Sequence, residues 1–291
     1  MTDADGTDGS DDAARPRVIA HRGFAGVAPE NTVGAVRFAA DAGAELVEVD
    51  VRPTSDGEVV VFHDDDLSGR DGDTGGLTDR SGLVHETPWA TVRDAEVLRS
   101  GETVPRLADV FEALPADVGV NVELKHPGTD DLRFGENLSG AALTAASDRW
   151  HGFVASVVDV VAQHDHEVLC SSFYEGALAA IHEIAPETPT AALCADDVET
   201  GLAIAREYDC AALHPPADAL LDGRLDGDRS GEADARPELL RVAHGEGRAV
   251  NVYTVQTWET ARSLAALGVD GVIADYPGLF AFEERKTGVD P

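Results

Sequence analysis

The 291-residue sequence predicts an α/β protein, a (β/α)8 barrel that carries one β-hairpin arm. Three observations predict it. Short β-type runs alternate with helical stretches, which is the pattern of a parallel sheet covered by helices. Nine β-type runs can be found, and one of them must be a hairpin arm. The stretch between the two polar ends is close to the ~250 residues typical of such a barrel.

The β-type runs are residues 18–21, 46–51, 59–63, 120–124, 168–171, 190–194, 211–214, 249–253 and 272–275. Helical periodicity covers 32–42, 140–162, 175–184, 198–207, 237–244 and 257–267. The third β run follows the second across a turn carrying Ser55-Asp56-Gly57. That turn is too short for the crossover of about a dozen residues that a parallel pair needs, so the two form an antiparallel hairpin. Eight strands then remain for the barrel. Residues 64–106 are rich in Asp, Gly and Thr without a long periodic run, and are expected to form an excursion over the catalytic face. Residues 218–236 read as a second, acidic loop. Residues 1–16 read as a disordered acidic tail, 17–281 as one barrel domain, and 282–291 as a frayed C-terminus. No internal repeat or linker divides the chain.

Charge excludes several functions. Fifty-five acidic residues face 22 basic ones, a formal net charge of −33, and only Lys125 and Lys286 are lysines. Such a surface repels phosphate backbones and anionic leaflets, so neither nucleic-acid binding nor stable membrane association is expected. No apolar run is long enough to span a membrane, and Met1–Asp12 has no signal-peptide pattern, which points to the cytoplasm. Cys170, Cys194 and Cys210 are odd in number, lack metal spacing and sit in or beside apolar segments; they read as buried free thiols. Self-repulsion at −33 destabilises a compact chain in dilute buffer. At molar salt the Debye length falls to about 3 Å and the repulsion is screened. The composition therefore points to a high-salt cytoplasm, as in halophilic archaea.

Chemistry gathers where strands end. His21-Arg22-Gly23 follows the first run, and His63-Asp64 ends the hairpin arm. Glu48 and Asp50 lie two apart, as do Glu123 and Lys125, and i, i+2 residues on a strand share a face. An antiparallel register that sets Glu48 opposite His63 and Asp50 opposite Val61 would bring that imidazole onto the carboxylate face. Three carboxylates without cysteine make a hard, all-oxygen site suited to one Mg²⁺ or Ca²⁺. Two histidines beside it can serve as acid and base in turn. Arg22 and Lys125 add positive charge, and the set suits a phosphate ester.

These residues resemble the glycerophosphodiester phosphodiesterase family. The resemblance rests on His21-Arg22-Gly23, Pro29-Glu30-Asn31-Thr32, Glu48-Val49-Asp50, His63-Asp64 with Leu67, Glu123-Leu124-Lys125, Ser171-Ser172-Phe173, and the run from Gly268 through Asp275-Tyr276-Pro277, in the family's order. It implies His21 and His63 as the acid/base pair and Glu48, Asp50 and Glu123 as ligands of one Mg²⁺ or Ca²⁺. Arg22 and Lys125 are then phosphate contacts, and Phe173 and Tyr253 substrate contacts. The implied reaction is hydrolysis of a small-molecule glycerophosphodiester to glycerol phosphate and an alcohol. Two departures bear on substrate identity. The family's usual Trp-Thr-Val-Asn is Tyr253-Thr254-Val255-Gln256, which keeps an aromatic wall and offers substrate a hydroxyl. The family's Arg and threonines after Leu67 are replaced by Ser68-Gly69-Arg70-Asp71-Gly72-Asp73.

The alternatives are a phospholipase-type phosphodiesterase on the same barrel, or a non-catalytic glycerophosphodiester-binding protein. Glu30 and Asn31 fit either a helix cap at Thr32 or a place in the site. His164 and His166 read as solvated, and His214 as core or rim packing or, equally, as a ligand contact at the mouth. From the charge, the melting temperature is expected to rise between dilute and molar KCl; a melt that does not rise would refute salt adaptation.

Overall fold

The structure, a computed structural model, describes residues 15–69, 76–128, 133–195, 197–221 and 237–282. The expectations for residues 1–14, 70–75, 222–236 and 283–291 lie outside the described residues. Nine strands form where the β-type runs lie: β1 (Arg17–Ala20), β2 (Leu46–Pro53), β3 (Val59–Val61), β4 (Gly119–Leu124), β5 (Val168–Ser172), β6 (Thr190–Leu193), β7 (Ala212–His214), β8 (Ala249–Val255) and β9 (Gly271–Ala274). The helices are α1 (Val33–Asp41), α2 (Trp89–Val92), α3 (Leu107–Ala113), α4 (Gly140–Val161), α5 (Glu175–Ile184), α6 (Val198–Glu207), α7 (Asp218–Leu221), α8 (Glu238–Gly245) and α9 (Trp258–Leu267). Of these, α2, α3 and α7 are absent from the sequence reading. They are short, and a stretch of four to seven residues gives little periodic signal.

The parallel strands run in the order β1-β9-β8-β7-β6-β5-β4-β2, and β2 pairs with β1, so eight strands close into a barrel. Strand alternation divides the side chains into two populations. Val47, Val49 and Val51 of β2, with Val120, Val122 and Leu124 of β4, face outward into the main core beside Val36, Trp150, Leu178 and Leu264 of the helices. Ile19, Leu46 and Ile273 face inward and plug the lumen, with Tyr253 packed on them. The lumen is tight on the β8–β9 side: a Cβ at Gly271 would lie 2.4 Å from Asn251 Oδ1. Thr32, Asp197 and Thr257 cap α1, α6 and α9 by accepting backbone N–H bonds from Ala35, Glu199 and Thr260. Such caps contribute about 1 kcal/mol each.

The hairpin forms as expected but in a different register. Val51 pairs with Val61, Arg52 with Val60 and Pro53 with Val59. This is one residue away from the expected pairing, and one residue reverses every face. Continued, the ladder would turn His63 away from the carboxylates. Instead β3 ends at Val61 and the chain bends, with Arg52 Nε and Nη2 donating to His63 O at 2.9 and 2.7 Å. His63 reaches the site by leaving the ladder.

The excursion has its own small core. Leu67, Leu77, Val84, Val92, Ala95, Val97 and Val104 are buried against Val60 and Phe62 of the hairpin arm, with Trp89 packed on them. Glu102 ties the segment to the barrel by accepting the Gly34 N–H at the start of α1, at 3.0 Å. Among the described residues no helix is long and apolar enough to cross a membrane.

His214, at the end of β7, is fully buried, and its Nδ1 has no partner. Its Nε2 lies 3.1 Å from Asn251 Nδ2. Burial pushes its pKa down to about 3. The folded protein therefore binds fewer protons than the unfolded chain between that value and ~6.5. This residue's stability contribution is complete above ~6.5 and is lost as pH falls towards 3, at about 1.4 kcal/mol per pH unit at most. His214→Gln is expected to lose less melting temperature than the wild type over that range; parallel acid profiles would contradict this.

Candidate active site

β2 and β4 lie side by side with Glu48 beside Asn121 and Asp50 beside Glu123. All four side chains therefore enter the lumen near the C-terminal ends of the strands. Glu48, Asp50, Asn121 and Glu123 are all buried. One carboxylate oxygen from each of Glu48, Asp50 and Glu123 lies within 4.8 Å of the others.

The turn after β1 closes over this cluster. Arg22, Gly23 and Phe24 have φ of 52°, 77° and 66°, three successive left-handed residues. Gly23 is required twice over, since a Cβ there would also lie 2.8 Å from the Ala35 backbone. The reversal aims the Arg22 N–H at Glu48 Oε2, 2.9 Å away. Asn31, with φ 58°, donates its N–H to Arg22 O at 3.0 Å. Its side-chain amide donates to Asp50 Oδ2 at 2.8 Å and its carbonyl accepts the Asp50 N–H at 3.2 Å. Asn31 thus serves the site, and the Thr32 side chain caps α1. Glu30 accepts from Arg22 Nη1 at 2.8 Å.

Charge is balanced locally. Lys125 Nζ lies 3.1 Å from Asp50 Oδ1 and also contacts Glu123 Oε1, while Arg22 Nε lies 3.2 Å from Asp50 Oδ2. Burial pushes Asp50 up, but the Lys125 and Arg22 charges overcome it and hold the carboxyl well below its ordinary range. Glu48 moves the other way. Burial, then Asp50 and Glu123, push it well above the carboxylate range. Arg22 and Lys125 thus answer Asp50, while Glu48 stands crowded against two other carboxyl groups.

The residues fit a hard divalent cation. Glu48 Oε1 and Asn121 Oδ1 are buried without hydrogen-bond partners. Oxygens bound at about 2.0–2.6 Å to one ion can lie up to about 5 Å apart, which covers the spacing found here. Glu48, Asp50 and Glu123 would hold it.

The two histidines share one arrangement. His21 Nδ1 is 2.6 Å from Asp275 Oδ1, and His63 Nδ1 is 2.5 Å from Asp64 Oδ1. Gln256 Nε2 donates to Asp275 Oδ2 at 2.7 Å. Burial pushes Asp275 up, but hydrogen bonds from His21 and Gln256 prevail and hold it below its ordinary value. In both histidines the carboxylate occupies Nδ1, and Nε2 has no hydrogen-bond partner among the described residues.

A cavity of about 200 Å³ unites these groups. Of the expected residues, His21, Arg22, Glu48, His63, Glu123, Lys125, Phe173 and Tyr253 line it, with Asn121, Leu193, Thr254 and Ile273. Asp50 is covered beneath them. Tyr253 corrects one expectation. Its ring faces the cavity, at 88° to Phe173 with centroids 5.9 Å apart, but its hydroxyl donates to Cys194 O and is not offered to substrate. His214 does not line the cavity. His164 stacks on Phe111 at 4.7 Å and is half-buried, not solvated.

Asn121, Asp64, Asp275 and Gln256 carry no role in the sequence reading. Asn121 precedes Glu123 by two in the same strand, a signal that was available. The Asp275–His21 contact joins positions 254 residues apart, and no local pattern announces it.

The profile of the glycerophosphoryl diester phosphodiesterase family matches residues 21–279. The chain is 26% identical over 271 residues to a glycerophosphodiester phosphodiesterase of Bacillus altitudinis, covering 90% of this chain and 95% of that one. It is 27% identical to the enzyme of that name from Caldanaerobacter subterraneus, covering 93% and 98%. Among solved structures, an Oleispira antarctica phosphodiesterase in complex with the product sn-glycerol-3-phosphate superposes with a TM-score of 0.71 at 27% identity, covering 95% of this chain and 98% of that one.

The unpartnered oxygens predict a thermal response. Mg²⁺ or Ca²⁺ at constant ionic strength should raise the melting temperature, with a gain of about 2.7 kcal/mol at a hundredfold excess over Kd. Glu48→Gln or Glu123→Gln should abolish most of the shift. A wild-type melt indifferent to both ions would exclude the site.

Proposed function

The chain belongs to the glycerophosphoryl diester phosphodiesterase family, and we propose that it hydrolyses small, soluble glycerophosphodiesters with His21 and His63 as the proton-transfer pair. It is a phosphoric diester hydrolase, and its products are glycerol phosphate and an alcohol. The observation that carries the mechanism is the shared cavity. Two imidazoles, each held at Nδ1 by a carboxylate, face it together with a carboxylate cluster and two cations.

One histidine takes the proton of the attacking hydroxyl as its oxygen bonds to phosphorus. The other gives a proton to the alcohol oxygen as the second P–O bond breaks. If the substrate's free glycerol hydroxyl attacks, a cyclic phosphate results, and water opens it with the histidine roles exchanged. Arg22 and Lys125 line the cavity and present positive charge to the phosphoryl oxygens. A divalent cation on Glu48, Asp50 and Glu123, Mg²⁺ or Ca²⁺, would supply further charge neutralisation at those oxygens. Asp64, Asp275 and Gln256 orient the imidazoles, and Phe173 and Tyr253 wall the carbon skeleton.

Soluble diesters are favoured over membrane lipids because most of the excursion's described apolar residues are buried in its own core, and only Leu83 and Leu98 among its large ones are exposed. Net charge −33 also opposes an anionic bilayer. The same charge supports a salt-adapted, cytoplasmic enzyme.

The test is release of glycerol phosphate from a panel of glycerophosphodiesters at molar KCl. Activity should require Mg²⁺ or Ca²⁺ and vanish on chelation. His21→Ala and His63→Ala should each lose about 10²–10⁴-fold in kcat, the usual contribution of a positioned proton donor or acceptor. Unchanged turnover in either variant would remove that histidine from the mechanism. Vesicle lipids cleaved as fast as soluble diesters would favour the phospholipase reading.

A further inference from the structure

A second cavity of about 420 Å³ adjoins the catalytic one, and Phe173 and Tyr253 line both. Phe134 completes an aromatic wall, stacked on Phe173 with centroids 4.8 Å apart. Phe134 is 54% exposed, an unusual position for a large apolar side chain in a protein with 5% aromatic residues. The perpendicular Phe173 and Tyr253 rings form a corner. Ala195 and Ala219 leave space opposite.

Among the described residues that line this cavity, Asp218 is the one acidic or basic side chain. Its Oδ1 accepts the Ala219 N–H at 2.9 Å, and among the described residues no cation pairs with it. The loop that presents it is fixed to β8, because the Ala217 N–H donates to Tyr253 O at 2.7 Å. The Asp218 charge is felt at the Tyr253 hydroxyl, whose pKa burial, and then neighbouring negative groups, push up.

Aromatic faces beside an uncompensated carboxylate attract a weakly hydrated organic cation. We propose that this second cavity receives the alcohol arm of the diester and selects alcohols bearing a quaternary or alkylated ammonium group. The proposal rests on the hydrolase reading above. Lys125 Nζ lies 5.9 Å from the Phe173 ring centre and does not oppose it, since Asp50 and Glu123 already meet that charge. The cavity on the His63 side is lined by Phe134 and Tyr174, and its carboxylates are already engaged, Asp66 by the Ser68 hydroxyl and N–H and the Gly82 N–H. There Asp65 is held by Arg52 and His126 at 2.6 and 2.9 Å, and Asp64 by His63.

The experiment compares kcat/KM for glycerophosphocholine with that for its uncharged 3,3-dimethylbutyl isostere, in which carbon replaces nitrogen, at one fixed salt concentration. The wild type should prefer the cation about tenfold, within the range of a cation–aromatic contact. Asp218→Asn and Phe134→Leu should each bring the ratio to about threefold or less. Each ratio is taken within a single preparation, so partial misfolding lowers both rates and leaves it unchanged. A wild-type ratio near one, with both substrates hydrolysed, overturns the proposal and leaves the hydrolase reading intact. A tenfold ratio that survives both substitutions overturns the assignment to this cavity. No turnover of any glycerophosphodiester refutes the hydrolase reading and this proposal with it.

Discussion

Burial of negative charge in the barrel lumen is the constraint on which the site depends. Asp50 has no solvent exposure, and an ionised carboxylate in that setting costs several kcal/mol unless opposite charge and hydrogen bonds meet it. Lys125, Arg22 and Asn31 meet it from three directions. Glu48 and Glu123 crowd two further carboxyl groups beside it. The mouth is organised around this demand: the end of β4 brings one of the chain's two lysines, and the turn after β1 brings a guanidinium and a backbone N–H.

The barrel meets that demand by separating stability from chemistry on alternate residues. Outward valines of β2 and β4 join the helices in the main core, so the inward positions are free to be polar. Parallel register then places Asp50 beside Glu123 without any help from loops. Loops enter for the histidines. One sits at the left-handed turn after β1 and the other where the hairpin arm breaks from its ladder. Each is steadied by a carboxylate, from the last strand's end in one case and from the adjacent residue in the other.

Surface and site have opposite electrostatic characters. A phosphodiester anion approaching a chain of net charge −33 is repelled at long range in dilute buffer. At molar salt that repulsion extends only about 3 Å, and the cations inside the cavity decide the encounter. A zwitterionic diester meets less repulsion than a purely anionic one under either condition. Acidic surface and cation-bearing pocket are therefore compatible with one function.

Much of this was legible in the sequence because the signals are local. Nine β-type runs, the short Ser55-Asp56-Gly57 turn and the i, i+2 spacing of Glu48 and Asp50 depend on near neighbours, and all are realised. The ordered motifs placed His21, Glu48, His63, Glu123 and Lys125 around one cavity. What the sequence did not determine depends on distance along the chain. The hairpin register came out one residue away, because it follows the turn actually formed, in which the Thr54 N–H donates to Glu58 O and the Gly57 N–H to Thr54 O. Asp275, itself held by Gln256, meets His21 only after the barrel closes β9 onto β1. Tyr253 reads as a free hydroxyl until β6 brings the Cys194 carbonyl to it. Strand alternation and residue chemistry are properties of a few adjacent residues, so the sequence alone carries them; register, barrel closure and the partners of buried polar atoms are properties of strands brought together from across the chain, so only the tertiary structure decides them.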